Sequence, residues 1–303
     1  MNKIEVLITR KSKEYELLDS GDGEKLERFG SVVLSRPDPQ ALWRRKLSLD
    51  DWKNSDAFFT RNEQVGEWKI NKNKIESLSK WPIEFSELKF WIKPTAFKHT
   101  GLFPEQSVNW DWMRDLIKKD KSGDSKKEID VLNLFGYTGG ASLACAQAGA
   151  KVVHVDGSKS AISWARENAE LSKLAEKPIR WILEDARVFV GREIKRGNKY
   201  DAIIMDPPAF GHGANKEIWK IEENFIPLVE DCMKILKDKP LFFIINGYSA
   251  GYSAIAYENI LKTLIEKFGG SIEMGELAIE ENKNGDTNSR LLPCGIFARW
   301  ANK

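Results

Sequence analysis

Asp206, Pro207, Pro208 and Phe210 lie in the stretch DAIIMDPPAFGHG, residues 201–213. The apolar run before Asp206 reads as a buried strand, so the carboxylate stands where that strand leaves the core. Proline fixes φ and carries no N–H, so this step presents carbonyl oxygens beside an anion without a competing donor. Asp206 can accept one hydrogen of an amine and the Pro207 carbonyl the other, which draws the nitrogen toward a localised lone pair. Phe210 offers a flat face for stacking. In isolation, Asp-Pro-Pro is equally a turn that ends a strand. Gly211 and Gly213 fit a mobile lip, and His212 reads as a loop residue rather than a base.

Two further acids follow earlier apolar runs. In NLFGYTGGASL, Gly136, Gly139 and Gly140 allow the backbone to pass close to a ligand as a helix begins. The next run ends in Asp156, 20 positions after Gly136, where a carboxylate can accept hydrogen bonds from ribose hydroxyls. The run after that ends in LEDA, with Asp185 placed to accept from an adenine amino group. Each acid alone could cap the helix that follows it. On successive strands of one sheet they describe a nucleoside cradle. GYTGG lacks the G-x-G-x-x-G spacing that brings a helix N-terminus onto a pyrophosphate. A cofactor with adenosine and no pyrophosphate is expected, and S-adenosyl-L-methionine is the common one.

These residues need a scaffold that delivers strand ends to one edge. From residue 129 onward, IDVLNLF, AKVVHVD, PIRWILE, KYDAIIMD and KPLFFIIN are short, nearly continuous apolar runs alternating with helical segments. That is the pattern of central parallel strands covered on both faces, a doubly wound α/β sheet. SIEMGELAIE and LLPCGIFARW, separated by the turn-rich ENKNGDTNS, predict a closing antiparallel hairpin. Pro104, Glu105, Lys118 and Lys119 suit the two ends of a helix over about 104–119. A charged linker over 120–128 follows. Residues 1–95 carry short β-like runs, IEVLIT, SVVLS and LKFWIK, and read as a small β-rich domain that can present substrate, followed by a second domain over 96–303. Trp43, Trp52, Trp68, Trp81 and Trp91 fill the core of such a module, or, beside the basic LWRRK, stack on unpaired bases.

VLNLFGYTGG, VVHVDGSKSAISWARENAEL and DAIIMDPPAF together resemble the class I S-adenosylmethionine-dependent methyltransferases, in particular the group related to large-subunit ribosomal RNA methyltransferases. The resemblance spans about residues 95–301 and implies a mostly parallel seven-stranded sheet with a terminal antiparallel strand. It implies that Phe135, Gly136, Tyr137, Thr138 and Gly139 line the methionine and ribose side of the cofactor. Asp156 with Gly157 and Ser158 would hold the ribose, Asp185 with Ala186 the adenine, and Asp206 would stand at the mouth of the substrate pocket. KHTGLFPEQ resembles the group's T-G-x-x-x-x-Q segment, which would set Thr100, Phe103 and Gln106 at the methionine end. Some relatives methylate carbon five of cytosine through a Cys just after the fifth strand. Here that place holds Asn246, Gly247 and Tyr248, which favours a nitrogen target over carbon five and leaves a ring nitrogen or a protein amide open beside an exocyclic amine.

With 47 Lys and Arg against 45 Asp and Glu, the formal charge of +2 provides no global field for a polyanion, so RNA must be met by a local patch. Cys145, Cys232 and Cys294 are far apart in apolar stretches, which suits reduced thiols and suggests neither a disulfide framework nor a metal site. The N-terminus alternates charged and apolar residues where a signal peptide would be continuously apolar, and no run reaches membrane-spanning length; a cytoplasmic protein is expected. The expected activity is methyl transfer to a nucleobase nitrogen in RNA, ribosomal RNA above all. A nicotinamide-dependent oxidoreductase and a non-catalytic RNA-binding protein with this fold are the alternatives.

Overall fold

The computed structural model describes residues 3–61, 66–73, 75, 78–123, 128–248, 251–283 and 289–302. In chain order the first elements are β1 (Ile4–Thr9), β2 (Tyr15–Gly21), β3 (Glu24–Phe29), β4 (Val32–Pro37), α1 (Leu49–Lys53), β5 (Ala57–Arg61), β6 (Gly66–Ile70), β7 (Trp81–Phe85) and β8 (Leu88–Ile92). A 3-10 turn, Pro104–Gln106, leads into α2 (Ser107–Gly123). Then come β9 (Asp130–Leu134), α3 (Gly140–Gln147), β10 (Lys151–Asp156), α4 (Lys159–Leu171), β11 (Ile179–Leu183), α5 (Ala186–Arg196) and β12 (Ala202–Met205). The chain continues through β13 (Phe210–His212), β14 (Ile218–Lys220), α6 (Ile221–Lys234), β15 (Phe242–Gly247), α7 (Ala254–Phe268), β16 (Ser271–Glu280) and β17 (Leu291–Ala301). The expected linker and final turn lie partly outside the described residues, at 124–127 and 284–288.

Two units are distinguished. One holds the described residues of Met1–Leu7, Val108–Leu277 and Gly295–Lys303; the other comprises those of Ile8–Ser107 and Ala278–Cys294. In the first, the sheet runs β1-β16-β17-β15-β12-β9-β10-β11. Strands β15, β12, β9, β10 and β11 pair in parallel, and β17 pairs antiparallel with β15. This is the doubly wound, mostly parallel sheet that the sequence predicts, with one strand beyond the seven expected. The eighth is β1, which the sequence places with the β-rich module and the structure sets beside β16. Gly275 permits this: a Cβ there would lie 1.8 Å from the Glu5 carbonyl oxygen.

Alternate residues of the central strands go to opposite faces, and both faces are covered. Leu132, Leu134, Val155, Ile203, Met205 and Ile245 share one buried cluster with Phe189 of α5, Phe225 of α6 and Tyr257 of α7. On the other face, Asn133 and His154 meet Ser142 of α3, and Phe242 meets Trp112 of α2. Double coverage explains why these strands lack polar alternation. Helix starts are fixed locally: Ser158 caps α4, Asp185 caps α5 and Ser253 caps α7, each through its side-chain oxygen.

The second unit contains a five-stranded sheet, β2-β3-β4-β5-β6, and the β7–β8 hairpin. Its core combines Tyr15, Phe29, Leu34 and Phe90 with an ion pair that apolar patterning does not announce. Glu27 accepts from Arg36 Nε at 2.7 Å and from the Tyr15 hydroxyl at 2.7 Å. Burial by itself would raise the Glu27 carboxyl; Arg36 and Lys25, with these two bonds, hold it down at about 2. Trp52 donates to Asp19 at 2.9 Å, Trp43 to the Ser20 carbonyl at 3.0 Å and Trp81 to the Phe29 carbonyl at 3.0 Å. Their indole N–H groups thus serve the unit itself, as core tryptophans do.

Candidate active site

Strand register brings the predicted residues to one rim. Leu134 is level with Val155 and Met205, and Met205 with Ile245. The residues that come next, Phe135, Asp156, Asp206 and Asn246, therefore line the carboxyl edge of β9, β10, β12 and β15, where an open α/β sheet receives its ligand. A cleft of about 420 Å³, bordered by Asp130, Lys151, Ile179, Arg180 and Tyr200, lies at the opposite edge and includes none of the predicted site residues.

The turn after β9 is held in an unusual conformation. Phe135 (φ 57°) and Tyr137 (φ 49°) take left-handed angles without being glycine, and Gly139 follows at 91°. Non-glycine residues in this region cost about 1–3 kcal/mol each and persist where the surroundings fix them. Asp156 is one such constraint: its Oδ2 accepts from Tyr137 N at 2.8 Å and its Oδ1 from Ser158 N at 2.8 Å. Burial raises the Asp156 carboxyl, and these two N–H groups pull it back. A carboxylate offers about four lone-pair positions, so acceptor capacity for ribose hydroxyls remains. The donor set of the rim fits S-adenosylmethionine at this point. Asn168 supports the turn from below, donating to the Thr138 carbonyl at 2.9 Å.

Gly136 has a reason to be glycine that the sequence does not disclose. A Cβ there would lie 2.3 Å from Cε1 of the His154 imidazole. His154 is fully buried, with Nδ1 2.9 Å from Ser142 Oγ, which also accepts from Asn133 Nδ2 at 2.8 Å. Burial pushes its pKa down to about 3, so the ring is neutral. Gly140 likewise clears Trp110, 2.3 Å from an added Cβ.

Asp185 is heavily engaged. Oδ1 accepts from the backbone N–H groups of Arg187 and Val188 at 2.9 and 3.2 Å and from Arg187 Nε at 3.1 Å; Oδ2 accepts from Arg187 Nη2 at 2.9 Å. Burial would raise this carboxyl, and the Arg187 bonds and helix cap lower it below the usual range. Ala186, at the start of α5, is buried. The helix cap and Arg187 thus engage both oxygens of Asp185.

After Asp206, Pro207 is buried and Pro208 exposed. Trp219 Nε1 donates to the Pro208 carbonyl at 2.6 Å, and its ring lies 4.9 Å from Phe135. The proline step is therefore tied to the turn after β9 through one buried indole, a residue the sequence reading missed. Phe210 is 57% exposed, available for stacking. The expected lip is the β13–β14 hairpin, whose Gly213 approaches Asp185 and Gly157 so closely that added Cβ atoms would meet them at 2.9–3.1 Å. Beside Asp206, Asn246 is buried and accepts from Asn109 Nδ2 at 3.0 Å. Burial pushes the Cys145 thiol up to about 12 and raises Cys232 as well, so neither is a ready nucleophile.

Thr100, Phe103 and Gln106 belong to the other unit. There Thr100 and Gln106 are buried, Phe103 lies 5.3 Å ring to ring from His99, and the Thr100 hydroxyl has no hydrogen-bond partner among the described residues. Cys294 is in this unit too, half-buried, with burial raising its thiol. Among the described residues no three His, Cys, Asp or Glu side chains cluster in a way that could hold a metal ion, and no helix is long and apolar enough to cross a membrane.

Comparison with known proteins agrees with this geometry. Residues 57–242, more than half of the chain, match the S-adenosylmethionine-dependent methyltransferase family. A solved S-adenosylmethionine-dependent methyltransferase from Agrobacterium tumefaciens is 39% identical, with a TM-score of 0.91 over 98% of this chain and 93% of that one. The ribosomal RNA large subunit methyltransferase K/L of Shewanella frigidimarina is 32% identical over 69% of this chain and 27% of its own length. That of Pseudoalteromonas atlantica is 34% identical over 49% and 20%. The matched region thus spans about a quarter or less of these longer relatives. Family and fold set aside the nicotinamide alternative: the chain belongs to the S-adenosylmethionine-dependent methyltransferase family.

Proposed function

We propose that the protein methylates an exocyclic nitrogen of a nucleobase in RNA, with ribosomal RNA as the substrate class and the cytoplasm as its setting. The observation that carries this reading is Asp206 at the end of β12, followed by a Pro-Pro step that Trp219 fastens through the Pro208 carbonyl. The names of the curated relatives support an RNA target. S-adenosylmethionine, when bound, supplies a methyl group on a sulfonium whose leaving group is a neutral thioether. No acid catalyst is then required, and the protein's task is alignment and exclusion of water. Asp156 holds the ribose and Asp185, yielding one oxygen from Arg187, the adenine. Asp206 accepts one N–H of the target amine and the Pro207 carbonyl the other, so the nitrogen lone pair is freed from the ring. As nitrogen gains the methyl it sheds a proton, which Asp206 is placed to receive. Phe210 stacks on the base, and the β-rich unit presents the RNA.

The test incubates tritiated S-adenosylmethionine and the protein with RNA and protein fractions from a strain lacking it, followed by nucleoside mass spectrometry. An N-methylated nucleoside is expected. Label on a base carbon, or in the protein fraction alone, refutes the reading.

A further inference from the structure

The apolar layer beneath the rim contains a polar atom that makes no hydrogen bond among the described residues. Tyr257 of α7 is 1% exposed, its ring 5.3 Å from Phe225 and 6.4 Å from Tyr252. Its hydroxyl is buried with no hydrogen-bond partner among the described residues. A donor left in that state costs about 1–3 kcal/mol, and phenylalanine would fill the same space without that cost. The hydroxyl is not deep in the core. Gly247 closes β15, and a Cβ at Gly247 would stand 2.5 Å from it, so the phenol reaches the end of that strand and the missing Cβ gives the hydroxyl its place there. β15 is the neighbour of β12, with Met205 level with Ile245, which puts this rim position beside the one that Asp206 occupies. Burial, then the nearby Asp206 carboxylate, push the phenol up to about 12, so it is a neutral donor at physiological pH.

We propose that the Tyr257 hydroxyl is a substrate-reading donor: it hydrogen-bonds an acceptor atom of the target group whose NH2 is held by Asp206. The inference rests on the amine reading given above and narrows it. An acceptor-only carboxylate beside a hydroxyl with a free proton to donate matches a paired pattern, an NH2 with a ring nitrogen or carbonyl oxygen close to it. Adenine, cytosine and guanine carry that pattern, and an aliphatic amine does not. A site with a buried donor rejects a target that leaves it unmade, which is discrimination of a kind that stacking on Phe210 cannot supply.

The experiment compares the full-length wild type with Tyr257→Phe and Gly247→Ala. Three measurements are made: melting temperature without ligand, S-adenosylmethionine affinity by calorimetry, and methyl transfer into RNA and protein fractions of the deletion strain. For Tyr257→Phe the expected results are an unchanged or higher melting temperature, cofactor Kd within twofold, and kcat/KM for the labelled fraction lower by about tenfold or more, mostly in KM. Gly247→Ala, which obstructs the hydroxyl, is expected to lose kcat/KM in the same direction. A melting temperature several degrees lower in Tyr257→Phe overturns the proposal, because the hydroxyl would then have a structural partner. Unchanged kcat/KM in both variants also overturns it. Label found only in protein defeats the RNA reading while the same variant-to-wild-type ratio still decides the role of Tyr257, and label in neither fraction overturns both.

Discussion

Gly136→Ala separates two explanations of the glycine-rich turn. If Gly136 serves only to bring backbone near a ligand, the substitution weakens cofactor binding and leaves the ligand-free protein as stable as before. The structure instead puts the new Cβ 2.3 Å from His154 Cε1, 2.5 Å from Nδ1 and 2.9 Å from Nε2. Carbon atoms pack at about 3.5–4.0 Å, so the ring or the turn must move by more than about 1 Å. Overpacking of this kind costs about 1–3 kcal/mol. Movement of the ring also strains the 2.9 Å contact with Ser142 Oγ, worth about 1 kcal/mol. A total of about 2–4 kcal/mol corresponds to a fall in melting temperature of roughly 5–15 °C for a unit of this size. Differential scanning calorimetry of the ligand-free protein measures it. The double variant Gly136→Ala with His154→Ala removes the obstructing ring and is expected to recover part of the loss, a positive coupling in the mutant cycle. A ligand-free Gly136→Ala protein that melts with the wild type would refute the reasoning.

Asp206→Ala is expected to abolish methyl transfer while changing cofactor affinity by less than about 1 kcal/mol, the signature of a contact made in the transition state; near-normal turnover removes the amine-activation mechanism. Asp156→Ala removes the proposed ribose acceptor and the clamp on Tyr137 N, so S-adenosylmethionine affinity by calorimetry is expected to fall by about tenfold or more, in line with charge-assisted hydrogen bonds of about 1.5–3 kcal/mol. Arg187→Gln relieves the competition at Asp185 and is expected to leave cofactor binding equal or tighter; a large loss would show that Arg187 itself contacts the cofactor. For His154 the folded pKa, about 3, lies below the unfolded value of 6.5, so the unfolded chain binds more protons between them. The stability tied to the neutral ring is complete above pH 6.5 and declines as pH falls toward about 3, by up to about 1.4 kcal/mol per unit. His154→Gln is expected to show a shallower acid limb in melting temperature against pH.

The parallel sheet was readable because its strands are buried on both faces: runs such as DAIIMD and KPLFFIIN can be little else once helices alternate with them. The β-rich half was less legible. β2 and β3 carry Glu27 and other charges that alternation marks as solvent-facing, and only the ion pair with Arg36 makes burial possible. IEVLIT read correctly as a strand, but its place beside β16 depends on the missing Cβ of Gly275, near the other end of the chain from Glu5. Likewise, the described residues of Ala278–Cys294 belong to the β-rich unit, where Arg290 reaches Asp19 and Glu281, each at 2.7 Å.

Residue type and position after an apolar run were enough to place Asp156, Asp185 and Asp206 at the carboxyl edge of the parallel sheet, the edge where an open α/β sheet receives its ligand. The sequence by itself thus determined the fold class, the cofactor chemistry and the order of the acids along the rim. Tertiary structure decided what surrounds them: His154 beneath Gly136, Arg187 on Asp185, Trp219 on Pro208 and the unmatched hydroxyl of Tyr257 beside Gly247. Each of these depends on side chains from separate elements meeting at contact distance, and local propensity, which acts over a few neighbouring residues, carries no record of such meetings.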